Sequence, residues 1–262
     1  MARSLVGGLI ANGYSRDAIV VSDLSEDARR YVAENFSVRV EESNHAVVAA
    51  SSTVVLALKP QVMQGALSSV ASSLQSSSPL LISIAAGIRL GDLDSWSGGN
   101  LSIVRVMPNT PALIQKGVSA MYANPEVSEE EKTVVQNIMS AVGKTVWLPD
   151  ERLLDVVTAV SGSGPAYFFY LIECIEEAAI ELGLEPETAH LLATETAAGA
   201  ALLSVASSES PAVLRQRVTS PGGTTAAALN VLNEAEVKQS IISAIQAAEK
   251  RSIEMSQPES TG

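Results

Sequence analysis

The feature that most constrains this chain is a change of pattern near Pro149. Before it, short apolar runs of strand length alternate with helical stretches. After it every apolar segment has helical length. In the first part Ala18–Asp23, Val38–Val40, Ser51–Leu58, Leu80–Ala85, Ser102–Met107, Val118–Ala123 and Lys144–Leu148 read as strands. Ser25–Asn35 and Val62–Leu74 read as helices between them, and Ser128-Glu-Glu-Glu131 is a capping box opening a helix to about Ala141. Near-continuous apolar strands separated by helices predict a parallel sheet covered on both faces. In the second part Leu153–Val160, Pro165–Leu182, Pro186–Ala206, Pro211–Val218, Thr224–Asn233 and Val237–Met255 read as helices. Several carry proline near the first turn, where its missing N–H costs nothing. The tail from Gln257 is polar and expected to fray. Two domains follow, an α/β domain over 1–149 and an all-helical domain over 150–262.

Composition narrows the classes. The 262 residues are 47% hydrophobic and 18% charged, which suits a globular protein and not a disordered one. The net charge of −12, without a Lys/Arg cluster, argues against nucleic acid or an anionic membrane as partner. No run reads as the ~20 apolar residues of a membrane span. The single cysteine, Cys174, has no internal disulfide partner and reads as a small core residue, which fits a reducing, cytoplasmic setting. Met1–Gly13 has a positive charge before a short apolar run, a faint leader-like pattern. Gly7-Gly8 breaks that run, and a helix stopped at Asn12-Gly13 is the better reading.

Conventional catalytic groups are scarce. His45 and His190 stand far apart, without the spacing of a metal site, and no Gly-x-Ser-x-Gly nucleophile motif is present. A reaction that asks the protein mainly for orientation fits, and hydride transfer from a bound cofactor is one. An α/β half followed by a helical half is a common layout for nicotinamide enzymes, though layout alone defines no function. A Rossmann half begins with a strand, then Gly-x-Gly-x-x-Gly/Ala into a helix. This chain opens on what reads as that helix, Ala2–Asn12. Asp23 ends the next strand, at the distance of a ribose-binding carboxylate, and equally reads as an ordinary turn residue.

One further stretch draws attention, Ser220-Pro-Gly-Gly-Thr-Thr225, followed by the helical run Ala226–Leu232. Pro-Gly-Gly permits a tight turn, and two hydroxyl residues stand where a helix begins. Helix-start amides lack helical partners and carry the positive end of the dipole, so the stretch suits a carboxylate or phosphate. It also suits a plain helix–helix turn.

The motifs Ala57-Leu-Lys-Pro60, Ile84-Ala-Ala-Gly87, Val106-Met-Pro-Asn-Thr-Pro111, Ser161-Gly-Ser-Gly-Pro-Ala-Tyr167 and Ser220–Thr225 occur in the order found in pyrroline-5-carboxylate reductases. From residue 1 to about Met255 the chain resembles that family. The resemblance implies a Rossmann-like domain whose first strand and Gly-rich loop this chain lacks, then an all-helical domain for substrate binding and dimerisation. It implies reduction of the C=N of 1-pyrroline-5-carboxylate to L-proline by NADPH, with NADH possible. It places Asn44 at the adenosine side of the cofactor, where a surface helix cap is the alternative. Ala57, Leu58, Lys59 and Pro60 would lie along the cofactor, with Leu58 standing where the family has valine. Ile84, Ala85 and Ala86 would lie beside the nicotinamide, and Asn109 completes the cofactor set. Ser220, Gly222, Gly223, Thr224 and Thr225 would receive the substrate carboxylate, with the Thr225 hydroxyl near the ring nitrogen as the catalytic group. Glu151 would face the imino acid, where a surface carboxylate at a helix start is the alternative. No metal is implied.

Two rivals have distinct signatures. β-Hydroxyacid dehydrogenases share the domain order but need a lysine as acid/base early in the helical half. No lysine lies between Lys144 and Lys238. The other rival is a truncated or inactive paralogue that at most binds a partner. In strand order 3-2-1-4-5 the first strand is central. Without it Ala18–Asp23 and Thr53–Leu58 would flank an unpaired gap, so this chain is expected to be unstable and to bind cofactor poorly unless a strand–Gly-x-Gly segment precedes it. The apolar helices Pro165–Leu182 and Pro186–Ala206 exceed what a small helical domain buries and predict a homodimer through the C-terminal half.

Overall fold

The structure is a computed structural model that describes residues 1–256. The expected frayed tail from Gln257 lies outside the described residues. The chain forms two compact units, Met1–Gly162 with the C-terminal stretch from Ala248, and Ser163–Ala247.

In the first unit helix α1 (Ala2–Ala11) is followed by strand β1 (Val20–Ser22), helix α2 (Glu26–Phe36) and strand β2 (Arg39–Glu41). The series continues with α3 (Asn44–Ala50), β3 (Thr53–Leu56), α4 (Pro60–Ser77), β4 (Leu80–Ser83), α5 (Leu90–Ser97) and β5 (Ile103–Met107). Strand β6 (Gly117–Ala123), helix α6 (Glu129–Ser140), strand β7 (Gly143–Trp147) and the short helix α7 (Leu153–Val157) complete it. Local chemistry sets several boundaries. The Ser128 hydroxyl and Glu131 carboxylate cap α6 reciprocally, as the capping box predicts. Pro60 sits in the first turn of α4, and Gly98, in the left-handed region, stops α5.

The strands fall into two sheets. β1 pairs in parallel with β2, and the second sheet runs in the order β3-β4-β5-β6-β7. Among the described residues no ladder joins β1 to β3, as the expectation of an unpaired gap requires. Helix α1 serves both pieces. Its Leu5 and Leu9 pack into the core with Ile82, Val104 and Met121, while Val6 and Ile10 pack with Val21, Val32 and Val40. Residues four apart share a helix face, so two adjacent stripes of one helix fill two cores.

Three expectations need correction. The second sheet is mixed, because β6 runs antiparallel to β5 with Val106 opposite Met121. Only residues 108–116 join those strands, too few for the crossover of a dozen or more residues that parallel pairing demands. The helices α3 and α5 were not expected, since one is short and the other contains Gly91, Asp92 and Ser95. Expected strand 18–23 overlaps a 3-10 turn at Arg16–Ala18, is extended from Ile19, and pairs as a strand only over Val20–Ser22.

The second unit contains α8 (Gly164–Glu181), α9 (Pro186–Ala206), α10 (Pro211–Arg217), α11 (Thr224–Glu234) and the first part of α12 (Val237–Met255). Ala189 and Ala193, one turn apart on α9, are buried, whereas Phe168, Phe169, Tyr170, Leu202 and Leu203 are more than half exposed. Cys174 is exposed rather than a core residue. By length and composition alone the 21-residue helix α9 could cross a bilayer, with mean hydropathy 1.3 over an 18-residue window, a test that the core helix of a soluble protein also passes.

Candidate active site

The candidate cofactor residues gather at the carboxyl ends of parallel strands, the edge at which open α/β sheets receive ligands. Ala57, Leu58 and Lys59 leave the end of β3 exposed on the way to Pro60 at the start of α4. That helix is 18 residues long, so its first amides and the positive end of its dipole suit a cofactor's anionic group. Ile84, Ala85 and Ala86 leave the end of β4, and the two alanines keep side-chain bulk low there. Asn44 opens α3, and its Oδ1 accepts a 2.7 Å bond from the Ser22 hydroxyl at the end of β1. The contact fixes Asn44 beside the strand end. Asp23 accepts a 2.8 Å bond from the Ser25 amide and so serves the turn into α2.

Asn109 has a different kind of environment. Its Oδ1 accepts from the Val118 amide at 2.9 Å, and its Nδ2 donates to the Ser161 carbonyl at 3.1 Å. The side chain therefore ties the segment after β5 to β6 and to Ser161-Gly-Ser-Gly164. Residues Thr158–Gly162 form a π-helical turn, a form that concentrates at functional positions. A β-carbon on Gly162 would meet the terminal methyl of Met107, so the turn packs against the end of β5 and a larger residue would have to displace that side chain.

Glu151 lies in a buried ion cluster. Its Oε1 accepts from Arg105 Nη1 at 2.6 Å and from the Leu90 amide at 2.7 Å, holding the first turn of α5. Arg105, on β5, is only 5% exposed. Burial pushes its guanidinium below the ordinary arginine value, and the hydrogen bond and charge of Glu151 work against that shift. Asp155, 3% exposed, accepts from Arg89 Nη2 at 2.7 Å and from the Ser252 hydroxyl at 2.8 Å. Sequence reasoning missed this cluster, although an arginine within the apolar run Ile103–Met107 is the signal that pointed to it.

In the second unit the Ser220–Thr225 turn has the form an anion seat requires. Gly222 has φ +71°, and the Gly223 amide closes the turn on the Ser220 carbonyl at 3.0 Å. A β-carbon on Gly223 would stand 3.2 Å from that carbonyl. Gly223 is the N-cap of α11, so Thr224 and Thr225 occupy its first two helical positions and their amides precede the first helical acceptor.

An α/β unit with candidate cofactor residues at the carboxyl ends of its strands, followed in the chain by a helical unit with an anion-ready helix start, fits the class of dinucleotide-dependent oxidoreductases. Comparisons with known proteins carry this further. Residues 1–87 match the family described as NADP oxidoreductase coenzyme F420-dependent, and residues 151–255 match the family described as Pyrroline-5-carboxylate reductase dimerisation. The pyrroline-5-carboxylate reductase of Pseudomonas aeruginosa is 44% identical over 98% of this chain and 94% of its own length. That of Arabidopsis thaliana is 40% identical over 98% of this chain and 92% of its own. A Coxiella burnetii pyrroline-5-carboxylate reductase structure superposes with a TM-score of 0.93 at 38% identity, covering 98% and 95% of the two chains. A Plasmodium falciparum pyrroline carboxylate reductase with NADP bound gives 0.87 at 30% identity, covering 97% and 94%. The chain belongs to the pyrroline-5-carboxylate reductase family.

Proposed function

We infer that this protein reduces 1-pyrroline-5-carboxylate to L-proline in the cytoplasm with a reduced nicotinamide dinucleotide, NADPH in preference to NADH. The observation that carries the reading is the match to reductases along both units, 44% identical over 98% of the chain. It favours the reductase over a binding-only paralogue. NADPH is supported by the NADP oxidoreductase family match over residues 1–87 and by the NADP held in a relative at 30% identity.

The residues fit such a cofactor. Lys59 and the start of α4 would hold its anionic part, Asn44 its adenosine side, and Ile84–Ala86 its nicotinamide face. The bound cofactor supplies the hydride that saturates the C=N bond. The chain's own residues bind and orient. Amides at Thr224 and Thr225, presented by the Gly222-Gly223 turn, would receive the carboxylate, which fixes the imino acid relative to the α11 axis. The Thr225 hydroxyl would donate to or accept from the ring nitrogen as it becomes an amine. No strongly acidic group is needed, because a protonated C=N already makes its carbon electrophilic. Positioning and local electrostatics then supply most of the rate. Two copies would pair through the exposed apolar faces of α8 and α9, consistent with the dimerisation match over 151–255.

The test is pyrroline-5-carboxylate-dependent oxidation of NADPH and NADH. A kcat/KM higher with NADPH is expected, and no turnover with either cofactor would refute the assignment. Thr225→Ala should cut kcat by about a hundredfold or more while the fold persists, as for loss of one positioned proton-handling group.

A further inference from the structure

We propose that the last turn of α12 is a strap that positions the loop from Ile84 to Leu90, with Ser252 and Ser256 as positioning residues for cofactor binding. The proposal rests on the reading that Ile84–Ala86 lie against the nicotinamide. Past Ala86 the chain turns at Gly87, whose φ of +74° disfavours any side chain. The turn is also crowded. A β-carbon there would meet the Met255 carbonyl oxygen at 3.4 Å and the Met255 β-carbon at 3.5 Å, so the end of α12 lies directly on it.

The following residues are held in the same way. Arg89 Nη2 donates to the Ser256 hydroxyl and to Asp155 Oδ2, both at 2.7 Å. Ser256 in turn donates to the Ile253 carbonyl at 2.8 Å, which orients it from within the helix. The Ser252 hydroxyl donates to Asp155 Oδ1 at 2.8 Å, so Asp155 is clasped between α12 and Arg89. Glu151 holds the Leu90 amide and is itself held by Arg105. Each carboxylate therefore bridges the loop to a second element.

Burial makes the arrangement stiff. Ser252, Asp155 and Arg105 are each at most 5% exposed, so water cannot replace a lost partner. A plain helix-to-loop contact would need none of this, since α12 and α5 could pack through apolar side chains alone. The polar contacts fix direction as well as distance, and they fix it at the residues that follow the proposed nicotinamide face. Helix α12 starts in the helical unit and its last turns belong to the first. One continuous helix thus connects the half matched by the dimerisation family to the loop.

The experiment uses Ser256→Ala and the double variant Ser252→Ala/Ser256→Ala of the full chain, assayed well below their melting temperatures. NADPH KM should rise about five- to tenfold in the double variant, as expected for loss of hydrogen bonds to charged groups. The pyrroline-5-carboxylate KM should stay within about twofold, and Ser252→Thr, which keeps the hydroxyl, should restore most of the affinity. Amide exchange across residues 84–90 should quicken in the double variant. Unchanged exchange there, or both KM values rising together, would overturn the strap. Ala86→Val, placed on the loop itself, separates the underlying reading. Faster exchange with unchanged NADPH KM and a silent Ala86→Val would overturn the placing of the loop at the cofactor instead.

Discussion

Two Arg–carboxylate pairs in this chain show how burial decides what a residue is worth. Arg152 forks onto Asp150 with contacts of 2.5–3.1 Å, and the hydrogen bond from that side chain holds the Asp150 carboxyl down to about 2. Its stabilisation is present above the ordinary carboxylate value and lost only as pH falls through about 2. The pair is solvent-exposed and screened, so Asp150→Asn should leave the melting temperature at neutral pH unchanged in calorimetry. Arg105 and Glu151 are the opposite case. Arg105→Ala would leave the half-buried Glu151 carboxylate, which holds the Leu90 amide, without its cation, and should cost about 3–5 kcal/mol in denaturant melts. Arg105→Met with Glu151→Gln should recover part of that, because it removes the orphaned charge. Asn109→Ala leaves the Val118 amide and the Ser161 carbonyl unpaired, an expected loss of about 1–3 kcal/mol. Sequence alone placed Asn109 and Glu151 within the motifs. It could not show that both side chains hold backbone in the first unit, since their partners lie 9 to 61 residues away.

At the scale of elements, strands buried on both faces were the legible ones. Leu80–Ser83 is buried at every position, and an unbroken apolar run is what that environment demands. Strand direction leaves no such mark: Gly117–Ala123 has the same composition whether it runs parallel or antiparallel. The short connection from Met107 was the available clue to its direction. The Ser220–Thr225 turn was legible because Gly222 and Gly223 answer local demands, a positive φ and a close carbonyl. The ion cluster was not, because it is assembled from four segments, around Arg89, Arg105, Glu151–Asp155 and Ser252–Ser256. The two-piece sheet has its own measurable signature. β1 and β3 each have one side without a ladder, so hydrogen exchange at Val20–Ser22 and Thr53–Leu56 should be faster than at the two-sided strand Leu80–Ser83. Equal protection across these strands would contradict the split.

At the scale of the whole molecule, the exposed aromatic and aliphatic side chains of α8 and α9 exceed what an isolated helical unit needs on its surface. Sedimentation at micromolar concentration should therefore give a dimer or larger assembly, and Phe169→Asp should shift it toward monomer. The change of pattern at Pro149 announced two halves, and the compact units divide instead at Gly162, with the end of α12 returned to the first. Helical periodicity could not reveal that return, because it is set by Ser252, Met255 and Ser256 meeting residues far back in the chain. The double duty of α1 has a consequence for how this molecule comes apart. Among the described residues no ladder joins the two sheet pieces, so the agreement between them is carried by side chains, with Leu5 and Leu9 speaking for one core and Val6 and Ile10 for the other. Weakening a single stripe, as in Val6→Ala with Ile10→Ala, should turn one sharp calorimetric transition into two. The smaller piece would melt first, while the larger one keeps its own temperature.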